Sequence, residues 1–151
     1  VPIAISIAIA DEQERLQIDG ARLRSAVTQI LKDAGIASAD ISLALVDDAT
    51  IHEVNRQYLG HDYPTDVISF VLDHTDGRLE GEVIVSADTA AATAARLGWP
   101  PENEVLLYVV HGALHLVGHD DQDPASLAAM RNAERQYLAR FGLKPPYEET
   151  T

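Results

Sequence analysis

The sequence predicts an α+β fold, a mixed sheet of about four strands covered by five or so helices. Three observations lead there. Alternating or β-branched apolar runs and helically spaced ones succeed each other in the order β, α, β, α, β, β, α, α, α. Two strand segments follow one another with no helix between them, which suits a hairpin, while the others are separated by helices. The chain's 151 residues, 46% of them hydrophobic, suffice for one core and are too few for two domains of ordinary size.

In VPIAISIAIA the isoleucines alternate at Ile3, Ile5, Ile7 and Ile9. That is a strand rather than a targeting leader, since no basic stretch precedes it and no small-residue cleavage signature follows. Asp19 offers an N-cap to a helix whose Leu23, Val27, Ile30 and Leu31 recur at helical spacing, and Gly35 stops it. ISLALVD (41–47) is the second strand. Asp48 or Thr50 then caps a short helix through Ile51, Val54 and Tyr58, terminated by Gly60. After the polar loop GHDYPTD come the strand VISFVL (67–72), the turn HTDGRLEG and the strand EVIVSA (82–87). Asp88 opens an alanine-rich helix closed by Gly98, and WPPEN starts another, because proline suits a first helical turn and not an interior. From Glu104 to Val117 the run EVLLYVVHGALHLV is apolar around nearly its whole circumference, so this helix belongs in the middle of the domain. Its few polar side chains need a reason. Asp123 and Pro124 begin a last helix that runs to Phe141, and the tail 142–151, ending KPPYEETT, is expected to fray.

Composition narrows the chemistry. No apolar run approaches the roughly 20 residues of a membrane span, and a soluble, cytoplasmic protein is the expectation. With no cysteine, any metal must be held by nitrogen and oxygen. The net charge of −13, from 24 acidic and 11 basic side chains, argues against tight nonspecific binding to polyanions. Contact with nucleic acid would have to be local. Arg22, Arg24 and Lys32 gather in one helix and Arg131, Arg135, Arg140 and Lys144 near the C-terminus, a pattern that solvated helix faces paired with acids also produce.

The stretch HGALHLVGHDD, residues 111–121, gives the buried helix its polar groups. Residues four apart on a helix lie one above the other, about 6 Å along the axis, so His111 and His115 can converge on one ion. Two candidates could complete the set. On a continued helix His119 would stand about 12 Å from His111, too far for a shared coordination sphere. Gly118 more naturally ends the helix and reverses the chain, which returns Asp121 to the ion at the offset of ten that metzincin-type zinc hydrolases use. Asp121 is therefore the favoured third ligand and His119 the alternative. Asp120 either orients a ligand histidine or stabilises the turn. Where those hydrolases carry a general-base glutamate, this chain has Gly112, which counts against a peptidase.

HGALHLVGHDD resembles the HGxLHLxGYDH signature of the YbeY endoribonucleases, bacterial proteins of ribosomal RNA maturation and ribosome quality control. NRQYLGHDYPTDVISF is similar to that family's N-x-x-Y-R-G-K-D-x-P-T-D-V-L-S-F block, and GEVIVSADTA to its G-D/E-I-x-I-S segment. The three blocks span residues 55–121 in order. The resemblance implies three parallel strands and one antiparallel, one Zn²⁺ per chain on three ligands, and cleavage of single-stranded RNA rather than DNA. Ribosomal RNA precursors and the small ribosomal subunit are the implied partners. Two positions depart from the pattern. Asp121 stands where the family has its third metal histidine, and Leu59 and His61 where it has an arginine of catalysis and a lysine. Arg56, one helical turn before Leu59, is the candidate to replace that arginine; His61 is a candidate to hold a phosphate, and Asp66 to anchor the site or accept a proton. Two other readings remain beside this one: a metallohydrolase of a peptide or small molecule, and a ribosome-associated binding protein with a structural metal.

Overall fold

A computed structural model describes residues 4–147. The elements follow the expected order: β1 (Ala4–Asp11), α1 (Gly20–Asp33), β2 (Ser38–Val46), α2 (Asp48–Leu59), β3 (Val67–Thr75), β4 (Arg78–Ser86), α3 (Ala87–Leu97), α4 (Pro101–Leu116) and α5 (Pro124–Ala139). The four strands form one sheet in the order β1-β2-β4-β3. β1, β2 and β4 run parallel and β3 antiparallel to β4, the mix the resemblance implied. Ile3, first of the alternating isoleucines, lies outside the described residues.

Strand alternation divides the apolar side chains between two faces. Leu43, Leu45, Val83 and Val85 join the main core with α1 and α4, while Val46 and Ile84 meet Ile51 of α2 on the opposite face. Helix α4 lies at the centre of the larger core. From Asn103 to Leu116 every residue is buried except His111 and His115. Gly112 is what lets it lie so close to the sheet. A Cβ there would come within 2.6 Å of Val83 Cγ1, a contact too short to exist, and within a tight 3.0 Å of Ser69 Oγ.

Several boundaries differ from the sequence reading, each for a local reason. β2 begins at Ser38 because its pairing with β1 extends to the Ala4–Ser38 partners. The cap of α2 is Asp47, whose carboxylate accepts from the Thr50 N–H at 2.8 Å, and not Asp48 or Thr50. Asp48 is engaged elsewhere, since its Oδ1 accepts from the hydroxyls of Ser86 and Thr89. Likewise α3 is capped by Ser86 rather than opened at Asp88, whose Oδ2 accepts from the Asp48 N–H. The long turn between β3 and β4 contracts to Asp76 and Gly77, both at positive φ (53° and 76°), as a two-residue hairpin of the primed type requires. Pairing resumes past a bulge between Val71 and Asp73, so both strands are longer than expected. Finally, the tail does not fray from residue 142: Leu143 and Tyr147 pack against the core and Pro145 is buried. The rest of it, 148–151, lies outside the described residues.

Candidate metal centre

Four polar residues of α4 lie along one stripe. Glu104, Tyr108, His111 and His115 are spaced by four, three and four, which keeps them on one face, and the first three line a cleft of about 1210 Å³. At the end of that stripe the helix stops. Val117 caps it, Gly118 takes φ 104°, and the His119 N–H donates back to the Leu114 carbonyl. The chain turns through Asp120, whose Oδ1 accepts from the N–H groups of Asp121 and Gln122, so Asp120 holds the turn and does not touch a histidine. That turn delivers Asp121 to the two rings.

His111 Nε2 and His115 Nε2 lie 3.0 Å apart, and Asp121 Oδ2 lies 3.4 Å and 3.3 Å from them. Each ring is fixed through its other nitrogen. His111 Nδ1–H donates to Glu134 Oε2 at 2.7 Å, and His115 Nδ1–H to the backbone carbonyl of His119 at 2.9 Å. A carbonyl can only accept, and the Glu134 carboxylate accepts as well, so in the neutral rings both protons sit on Nδ1 and both Nε2 atoms present lone pairs. Three acceptors therefore converge within 4.8 Å and no donor stands among them, an arrangement that repels itself unless a cation or proton intervenes. Two imidazoles and a carboxylate with their far sides tied down could hold a divalent metal ion. His119 enters this arrangement through its backbone carbonyl rather than its ring.

Glu134, in contact with His111, is a part of this arrangement that the sequence reading missed. It is wholly buried on α5, between Met130 and Leu138 on the stripe that faces the core. Its Oε1 accepts from Arg131 Nη1 at 3.0 Å and from the Tyr147 hydroxyl, so both carboxylate oxygens are satisfied. Burial alone would push its pKa up, but hydrogen bonds from His111 and Tyr147, with the charges of His111 and Arg131, prevail and hold it below the usual glutamate value. Its signal in the sequence was an acid at a core position of a helical repeat. Glu104, at the other end of the stripe, goes the opposite way: burial raises its pKa, although Trp99 Nε1–H donates to it at 2.8 Å.

The loop between α2 and β3 forms the other wall. Asn55, buried within α2, donates from Nδ2 to the Tyr63 carbonyl at 2.9 Å while its own carbonyl accepts from the His61 N–H. So fastened, the loop lines a second cavity of about 520 Å³ with Leu59, His61 and Asp66, and His111, His115 and Asp121 line it too. Asp66 lines both cavities, its Oδ1 accepting from the Val67 N–H at 2.8 Å. Arg56 lines neither. Its guanidinium is on Glu53, 2.5 Å away on the same helix, and the structure does not bring it to the cluster.

Comparison with known proteins places this geometry. The model of the family "Endoribonuclease YbeY" matches residues 8–142. A curated protein of that name from Rhodopirellula baltica is 44% identical across 82% of this chain and 69% of its own length. Others of the same name, from Syntrophus aciditrophicus and Salinibacter ruber, are 34% and 38% identical, covering 89% and 87% of this chain and 88% and 89% of theirs. The solution structure of TM1509 from Thermotoga maritima superposes with a TM-score of 0.61 at 26% identity, covering 95% of this chain and 96% of that one. With β2 to β4, the histidine helix and the turn to Asp121 all inside the matched region, the chain belongs to the endoribonuclease YbeY family.

Proposed function

We propose that this protein is a zinc-dependent endoribonuclease that cuts single-stranded RNA. Its proposed setting is the cytoplasm, where residues 1–151 act as one hydrolase domain on ribosomal RNA precursors and the small ribosomal subunit, in ribosomal RNA maturation and ribosome quality control. Family membership supports the RNA substrate. The observation that carries the metal is the convergence of three lone-pair-bearing atoms with no donor between them.

In this reading His111, His115 and Asp121 hold one Zn²⁺, a two-nitrogen, one-oxygen set that leaves a position open, as catalytic zinc sites do. When bound, the ion supplies a Lewis acid and lowers the pKa of water towards about 7. Glu134 and the His119 carbonyl keep both rings in the tautomer that binding requires. Asp66 takes the proton of the water that attacks phosphorus and hands it on to the ribose oxygen as the bond from phosphorus to that oxygen breaks, which leaves a phosphate monoester and a ribose hydroxyl. His61 contacts the substrate from the second cavity.

The test is metal analysis of the parent and a His115→Ala variant, followed by incubation of both with single-stranded RNA and with DNA of the same sequence. About one zinc per chain is expected in the parent and little in the variant, because three protein ligands are too few to spare one. RNA cleavage should disappear with the metal and DNA remain intact. Equal zinc in both proteins, or cleavage that survives in the variant, overturns the reading.

A further inference from the structure

The two cavities that meet at His111 and Asp121 differ in the chemistry of their walls. The larger carries Arg96 from α3 and Arg131 and Arg135 from α5. The smaller has no lysine or arginine and is walled by Leu59, His61, Tyr63 and Val71. A phosphate diester in the smaller cavity would meet no fixed cation. In the larger it would meet three.

The arginines are also held ready. Arg131 is tethered to buried Glu134, and its guanidinium lies 4.6 Å from the centre of the Tyr147 ring; that of Arg135 lies 5.0 Å from the same ring. Neither Arg96 nor Arg135 makes an ion pair among the described residues. Of the acids lining this cavity, Glu134 is already paired with Arg131, Glu104 is buried and Asp121 belongs to the metal cluster, which leaves Asp66 as the acid free to oppose Arg96 and Arg135. On a chain of net charge −13, such a concentration of cations marks where a polyanion can approach.

On the opposite flank the aromatic groups are bare. Tyr63 is 53% exposed, and its ring stacks on that of His61 with centroids 5.4 Å apart and planes 10° from parallel. Tyr58 is 69% exposed nearby, edge-on to Phe70. Unpaired bases stack on platforms of this kind whatever their sequence, since every base has a π-face.

Resting on the endoribonuclease reading, we infer that RNA crosses the site with a fixed polarity of contacts: phosphates on one flank bind Arg96, Arg131 and Arg135, and bases on the other stack on the His61–Tyr63 pair. The catalytic cluster sits at the changeover. Leu59 then needs no cationic replacement from α2, because the charge comes from α3 and α5.

The experiment measures binding of fluorescein-labelled oligouridylate, oligoadenylate and an abasic strand to the zinc-loaded protein by anisotropy, before measurable cleavage, across about 50–200 mM salt. The proteins are the parent, an Arg96→Ala/Arg135→Ala double variant and Tyr63→Ala. All three side chains are exposed, and unchanged zinc content and circular dichroism check the fold. The double variant should lower the slope of log Kd against log salt by about 1.4, about 0.7 for each phosphate of the single strand that is no longer neutralised, equally for all three strands. Tyr63→Ala should leave the slope alone and weaken the base-bearing strands by about 5- to 150-fold, with no effect on the abasic one. An unchanged slope in the double variant, or a Tyr63→Ala effect that persists without bases, overturns the inference. If the parent still cuts RNA in that case, the endoribonuclease reading stands; a parent that neither binds nor cuts RNA removes that reading and this inference with it.

Discussion

Glu134 sets the state of His111 from inside the core. A buried carboxylate facing Nδ1–H fixes the ring's tautomer and strengthens Nε2 as a donor to a metal, so Glu134→Gln should weaken zinc binding by about 10- to 100-fold, read by competition with a chromophoric chelator. The same residue contributes to acid sensitivity. Because its folded pKa lies below the ordinary value, its ionised form contributes stability that is complete above about pH 4.3 and lost as pH falls through the lower folded value. Urea titrations of the metal-free protein should show stability falling below that pH, with a shallower fall in Glu134→Gln; parallel curves would refute the assignment. At this scale the sequence was readable where the relation is local. Offsets of four and ten along one helix and its turn brought His111, His115 and Asp121 together without knowledge of the rest. Glu134 stands 23 residues from its partner, across a helix packing that no spacing rule encodes. Arg56 shows the other side of this: helical spacing puts it near Leu59, and in the structure its guanidinium pairs with Glu53 on its own helix.

Elements were legible in kind and order, and their ends less so. At the starts of α2 and α3 the sequence offers more oxygen-bearing side chains than one cap needs, and which one serves depends on the exchange between Asp48 and Asp88, two residues brought together only by the fold. Helix α4 was recognisable as buried from its apolar circumference alone, and its closeness to β3 and β4 depends on a missing side chain. Gly112→Ala forces a methyl group against Val83 and Ser69, and overpacking of this kind costs about 1–3 kcal/mol. Its denaturation midpoint should drop accordingly, and a midpoint equal to the parent's would show that the helix can shift outward at no cost.

At the scale of the molecule, the mixed sheet followed from the order of segments together with the family resemblance, whereas the docking of the tail did not follow from either. Proline-rich and charged, the tail reads as solvent-exposed, yet Tyr147 finds buried Glu134 and two arginines beside it. The distribution of charge was equally hidden, since a net −13 says nothing of where cations cluster. A metal that joins α4 to the turn beyond it should stabilise the whole fold. At zinc 100-fold above its Kd the gain is about 2.7 kcal/mol, which for a chain of this size moves Tm by roughly 5–10 °C. Adding a chelator during calorimetry should reveal that shift in the parent and abolish most of it in His115→Ala.

The contact of α4 with Val83 also bears on how this scaffold could change trade. Where a zinc peptidase keeps its acid, this chain has solid sheet, and a longer side chain at Gly112 has nowhere to go. Reaching peptide chemistry from here would require lifting a whole helix off its strands.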